Sequence, residues 1–237
     1  RHSTYGKMVC EKLIEKLAGY PIVIVSGMAL GIDAIAHESA LRAGLKTIAI
    51  PGSGLDPKVL YPKSNFKLSR KILEAGGCLL SEFDPKYKAT NWGFIQRNRI
   101  GAGISDAVLL IEASEKSGTL TTARLATDYN RDVLIVPGNI NSPTSKGSNE
   151  LLRLGAIPIL KSADILEALG LEKKEEKELK IDLPEEESLV FKILREPKSK
   201  EEICDLTEKP ISEINILVSM LEIRGLVKEI EGKIHRR

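Results

Sequence analysis

The chain has 237 residues, 42% hydrophobic and 29% charged, with a formal net charge of +2; that is enough for one good core and a small appended domain. No run of roughly 18 apolar residues occurs and no charged n-region precedes an apolar stretch, so the reading is a cytoplasmic protein without a helical membrane span. Cys10, Cys78 and Cys204 are far apart and lack C-x-x-C spacing, which argues against a disulfide framework or a zinc site and for buried small hydrophobes.

In chain order, "KMVCEKLIEKLA" (7–18) has apolar residues at 9, 13, 14 and 17 and predicts a helix with no strand ahead of it. The natural first strand of an α/β domain is therefore expected to be missing from this chain. Strands are predicted at "IVIV" 22–25, "TIAI" 47–50, "CLL" 78–80, "AVLLI" 107–111, "VLIV" 133–136 and "IPIL" 157–160. Unbroken apolar runs alternating with Gly-rich turns and helical patterns indicate a Rossmann-like, doubly wound, mostly parallel sheet covered on both faces. The predicted organisation is an α/β domain over 1–170, a charged linker over 171–184, and a small second domain over 185–237. That last part predicts helices over 185–195, 199–207 and 211–224, with Ser199 as an N-cap, then a hairpin around Glu231–Gly232. Three helices and a hairpin suggest a winged helix.

Charge divides unevenly. Residues 1–170 hold 21 Lys and Arg against 16 Asp and Glu, and residues 171–237 hold 14 against 17, giving +5 and −3. An anionic partner should meet the first part.

Open parallel sheets bind ligands beyond the carboxyl ends of their strands, where loops feed helix N-termini. Four such loops occur: "SGMALGIDAIAH" after 22–25, "PGSGLDPKVLYPKSN" after 47–50, "EASEKSGTLTTA" after 107–111 and "PGNINSPTSKGSNEL" after 133–136. Their backbone N–H groups and hydroxyls suit phosphate oxygens. Neither a G-x-G-x-x-G fingerprint nor a P-loop is present, so no nucleotide cofactor is implied. His37 lies four residues after Asp33, on the same helix stripe, and reads as a polar pair anchoring helix to loop. The other histidines, His2 and His235, lie near the chain ends, and no catalytic set, metal site or cofactor is assigned.

The stretch "FIQRNRIGAG" (94–103) predicts a helix ahead of strand 107–111. Phe94 and Arg97 are neighbours at helical spacing, as are Arg97 and Gly101. An aromatic beside arginines and donor loops is the pattern of a single-strand nucleic-acid site, where bases stack and cations hold phosphates. Packing in the core is the alternative for Phe94.

Taken in order, "SGMALGIDAIAHESAL", "TIAIPGSGLDPKVLYPKSN", "FIQRNRIGAGIS", "EASEKSGTLTTA", "VPG" and "SKGSNELL" resemble the successive motifs of the DNA processing protein A (DprA/Smf) family. The resemblance implies an extended Rossmann-like domain that binds single-stranded DNA without sequence preference and forms homodimers. It also implies a recombination mediator that loads RecA recombinase during natural transformation, and a C-terminal winged helix like 185–237. By position, Lys63 resembles a DNA-contacting basic residue, Phe94 a base-stacking aromatic, and Ser26 and Gly27 the loop at the phosphate pocket. Arg97, Asn98 and Arg99 match the family's R-N-R, divided between DNA contact and scaffold; Ser117 and Gly118 complete the expected set. The chain departs from the pattern in two places. Arg1 sits one residue too close to Tyr5–Gly6 to be the arginine of the family's Gly-Ser-Arg strand. Asn91 stands where many members have lysine, with Lys88 or Lys86 as substitutes.

The rival resemblance is to lysine-decarboxylase-like nucleoside-monophosphate phosphoribohydrolases and their P-G-G-x-G-T-x-x-E pattern. Here Thr122 falls at the glutamate position and Ser117 at a glycine, so the hydrolase loses its carboxylate and a non-enzymatic role is expected. The presumptive recognition helix, "ISEINILVSMLEIRG", carries two glutamates and one arginine, the wrong sign for a major groove; protein contacts or regulation are expected of that module.

Overall fold

Six short parallel strands form the frame of the first part of the chain, and they fall into two sheets rather than one. Strands β1 (Val23–Ser26), β2 (Lys46–Ala49) and β3 (Cys78–Leu79) lie in the order β1-β2-β3, and β4 (Ala107–Leu110), β5 (Asp132–Ile135) and β6 (Ile157–Pro158) in the order β4-β5-β6. All pairings are parallel, with Val23 opposite Lys46 and Leu109 opposite Leu134. Among the described residues β1 and β4 each have one strand partner, leaving one edge of each without a ladder. The computed structural model describes residues 2–172, 183–194, 196–230 and 232–236. It divides into two units, Arg1–Lys173 and Lys174–Arg237.

Helices connect the strands in the expected rhythm: α1 (Thr4–Glu15), α2 (Ile32–Arg42), α3 (Phe66–Glu74), α4 (Asn91–Ile104), α5 (Gly118–Asp128), α6 (Lys146–Arg153) and α7 (Ser162–Ala168). Alternation along each strand sends neighbours to opposite faces. Leu109 and Leu134 join Leu13 and Ile14 of α1, Ile35 of α2 and Ile165 of α7 in one cluster, with Ile24 of β1 packed on it. Leu110 and Ile135 turn the other way, to Ala123 of α5 and Leu151 of α6. The first cluster therefore draws on both sheets, and its helices hold the two halves together.

Helix α1 begins three residues before the predicted start at 7. The Ser3 hydroxyl caps it by accepting the Gly6 N–H at 2.9 Å, a polar signal that apolar periodicity does not carry. The strands "CLL" and "IPIL" shrink to two residues each. The cysteine expectation holds for Cys10 alone. Cys78 is exposed on the edge strand β3, and Cys204 is half-buried.

The second unit contains α8 (Glu185–Ile193), α9 (Lys200–Thr207), α10 (Ile211–Ile223) and an antiparallel pair, β7 (Val227–Ile230) with β8 (Lys233–Arg236). Ser199 and Glu202 cap α9 reciprocally, the sequence signature of a capping box. Val190, Ile203, Ile214, Leu221 and Ile234 are fully buried in a core of this unit's own. Most of the expected linker, 173–182, lies outside the described residues, as do Arg1, Arg195 and Glu231 of the earlier expectations. Among the described residues no helix is long and apolar enough to cross a membrane.

Candidate nucleic-acid interface

The loop that leaves β1 is held from three sides. Met28 takes a positive φ of 63° with its side chain fully buried. The Asp33 carboxylate, in the first turn of α2, accepts the Ala29 N–H at 3.1 Å, and Asn65 Nδ2 donates to the Met28 carbonyl at 2.9 Å. Beneath Gly27 lies the Arg97 guanidinium, so close that a β-carbon at residue 27 would overlap it. Arg97 Nη1 donates to the Ile50 carbonyl at 2.6 Å, which joins α4 to the end of β2. The side chain is nearly enclosed, with the residue 8% exposed. Burial lowers the guanidinium pKa and the Asp33 carboxylate opposes that shift.

This enclosure weighs against the expected direct phosphate contact by Arg97 and for its role as scaffold. Arg99, two residues on, is exposed but ion-paired with Glu82. Asn98 between them is half-buried.

The second loop supplies the other expected residues. Lys63 begins a 3-10 turn, Lys63–Asn65, and projects into solvent. That turn is pinned to the β1 loop by the Asn65 bond just described. Next to Lys63, the Tyr61 ring lies 5.7 Å from that of Phe94 at a 51° tilt. Phe94 is half-buried, with one part of its ring against Gly52, where a β-carbon would collide with it. The structure thus brings together Gly27, Arg97, Lys63 and Phe94 around the ends of β1 and β2. Lys88 is exposed, as is Lys86, and among the described residues Lys63, Lys86 and Lys88 form no ion pair.

Ser117 and Gly118 lie elsewhere, at the start of α5. Ser117 is the N-cap: its hydroxyl oxygen accepts the Thr119 N–H at 3.2 Å. A β-carbon at Gly118 would meet open space. Among the described residues no hydrogen bond or ring contact links them to the Phe94 group.

His37 corrects the expected polar pair. It is fully buried, its Nδ1 is 2.7 Å from the Thr47 hydroxyl, and burial lowers its pKa to about 4. Helical spacing put Asp33 and His37 on one stripe, but Asp33 bonds the preceding loop while His37, a turn later, meets β2. No group of three or more His, Cys, Asp or Glu suited to a metal occurs among the described residues.

Residues 1–170 match the family described as DNA recombination-mediator protein A. The chain belongs to that family. Protein Smf of Escherichia coli (strain K12) is 32% identical over 244 aligned residues, covering 98% of this chain and 64% of Smf. The X-ray structure of DNA processing protein A (DprA) from Streptococcus pneumoniae superposes with a TM-score of 0.64 at 38% identity, covering 73% of this chain and 59% of that one. The structure of DNA processing protein A from Helicobacter pylori, described in terms of a unique single-stranded DNA binding mode, also gives 0.64, at 36% identity, covering 71% and 75%. This chain therefore spans somewhat under two thirds of the E. coli and S. pneumoniae relatives.

Two parts of this surface were not among the expected residues. Glu112, just past β4, accepts the Ser3 N–H at 3.0 Å, the Ser3 hydroxyl, and the Thr144 hydroxyl at 3.2 Å. Gly6 lies against the same carboxylate, and the Tyr5 hydroxyl donates to the Pro137 carbonyl at 2.9 Å. Together these bonds tie α1 to the ends of β4 and β5. A carboxylate there repels phosphate. The second part is a group of aromatics, Phe83, Tyr87 and Trp92, beside the start of α4. Four aromatics within twelve residues, 83–94, were the available signal.

Proposed function

We propose that this chain binds single-stranded DNA without sequence preference, across the surface formed by the loops after β1 and β2, and that it acts by binding rather than by catalysis. The observation that carries the reading is the pairing of a half-exposed aromatic edge, Tyr61 with Phe94, and an unpaired exposed Lys63 at the same loop end. Stacking faces and cations side by side are what a single strand needs, since every base has a π-face and every nucleotide a phosphate. The H. pylori relative's single-stranded DNA binding mode supports it, as does the +5 charge of residues 1–170. Within this reading Lys63 and Lys88 meet phosphates and Phe94 meets a base. Ser26 and Gly27 form the floor, Arg97 and Asn98 brace it, and Arg99, Ser117 and Gly118 lie along the margin.

The biological role that fits is a cytoplasmic recombination mediator, a homodimer through its Rossmann-like part that loads RecA on incoming DNA in natural transformation. The second unit is proposed as a winged-helix module that meets protein rather than DNA. Fluorescence anisotropy with oligo-dT and with a matched duplex tests the binding: tighter binding to the single strand is expected, and equal or tighter binding to the duplex overturns it. For the mediator role, RecA filament growth on coated single strands should be faster with the protein than without.

A further inference from the structure

Trp92 is 61% exposed, yet its surroundings are rigid. It is the second residue of α4, and its ring is tilted 57° against Phe83 with centroids 6.5 Å apart. Phe83 in turn stacks on Tyr87 at 4.5 Å and 13°. The Tyr87 hydroxyl lies 3.0 Å from the Thr90 hydroxyl, whose oxygen caps α4 by accepting the Gly93 N–H at 3.0 Å.

The segment under the tryptophan is fastened to the same Gly-rich loop that backs Phe94. Gly54 N–H donates to the Tyr87 carbonyl at 2.9 Å and Asp56 N–H to the Pro85 carbonyl at 2.9 Å. A β-carbon at Gly54 would strike the Asp84 and Pro85 carbonyls, and one at Gly93 would lie 2.8 Å from the Gly52 carbonyl. These close approaches leave the aromatic group no slack relative to Phe94. An exposed indole on a fixed support keeps apolar area in water with little rotamer entropy left to lose on binding.

We propose that Trp92, backed by Phe83 and Tyr87, is a second base-stacking platform that extends the single-strand path beyond Phe94. The proposal rests on the single-stranded DNA reading above. Two residues apart on a helix, side chains diverge by about 200°, so Trp92 and Phe94 flank the N-terminal end of α4. A strand stacked on both carries the intervening phosphate over the first turn of α4, where helix N–H groups without intrahelical partners favour an anion. Exposed, unpaired Lys86 and Lys88 border the same segment. The occupant is therefore a nucleobase with its phosphate; a purely apolar peptide would leave the lysines and the helix end unused.

Trp92 is the single tryptophan of the chain, so its emission reports this position alone. The full chain is titrated with oligo-dT while anisotropy of an end-labelled oligo-dT is followed in parallel. Expected are quenching of emission that saturates along the anisotropy curve and protection of the bound indole from acrylamide. Trp92→Ala should weaken binding about 5- to 150-fold, the range for loss of one stacked base, and Trp92→Phe should restore most of it. Anisotropy that shows binding, with emission and acrylamide access unchanged, overturns the platform and leaves the DNA reading standing. Absence of any anisotropy change overturns the DNA reading and the platform with it.

Discussion

Gly27 and Arg97 occupy adjoining space, and the guanidinium that a β-carbon at residue 27 would displace is the donor to the Ile50 carbonyl. Gly27→Ala should push Arg97 away and leave that carbonyl without its partner, at a cost of about 1–3 kcal/mol. For a chain of this size that corresponds to roughly 2–12 °C in melting temperature. Calorimetry or circular dichroism reads it directly. An unchanged melting temperature would mean that the arginine relaxes without loss.

Arg97→Ala separates scaffold from phosphate contact by a different readout. As scaffold, Arg97 affects folding, so the variant should melt lower while the folded fraction keeps its dependence of log affinity on log salt. A direct contact would flatten that slope by about 0.7, the value for one phosphate on a single strand.

Lys63→Ala should show the complementary pattern. The side chain is exposed and unpaired, so stability should hardly move. Affinity for oligo-dT should fall and the salt slope should flatten by about 0.7. A parallel shift of the salt plot would show that the lysine acts through its neighbours.

Phe94→Ala distinguishes stacking from packing. A half-buried ring that stacks on a base predicts an affinity loss of about one to two orders of magnitude with little change in salt slope. Its loss of stability should be well below the roughly 3–5 kcal/mol typical of a fully buried phenylalanine. A large drop in melting temperature with unchanged affinity would return Phe94 to the core.

His37 predicts a pH effect on stability. Its pKa in the folded chain is about 4, below the ordinary 6.5, because burial disfavours the imidazolium. Between those values the unfolded chain binds the proton and the folded chain does not, so stability falls as pH drops through that window. About 2 kcal/mol should be lost between pH 6.5 and 5, and about 3 kcal/mol by pH 4. His37→Gln, which keeps a hydrogen-bonding group toward Thr47, should remove most of the slope between pH 6.5 and 5 in denaturant titrations.

The strands were legible because each is a short apolar run set off by polar or Gly-rich turns, and their observed starts lie within one residue of the predicted ones. Lys63 and Phe94 were singled out through motif order and helical spacing, and they meet around the same loop end. Arg97 shows where such reading stops, since a charged residue in a Gly-rich helix looks exposed until the loop packed on it is known. Glu112 was passed over because its donors, Ser3 and Thr144, are 109 and 32 residues away. Trp92 was missed for a related reason: its support, Phe83 and Tyr87, comes from the loop before α4, and sequence spacing across a turn does not specify which rings meet.

The division of the strands into two sheets reverses the usual order in which backbone amides yield to solvent. In a continuous doubly wound sheet the middle strands are the last to exchange hydrogen for deuterium, because both of their edges are bonded and covered. Here β2 and β5 are each the central strand of their sheet, while β1 and β4 have an open edge although Ile24 and Leu109 pack on the same cluster. Slow-exchanging amides should therefore form two islands, around residues 46–49 and 132–135, separated by a faster seam at 23–26 and 107–110. Because among the described residues no strand ladder crosses that seam, each half can lose its protection without the other, and the first unit should open in two cooperative steps.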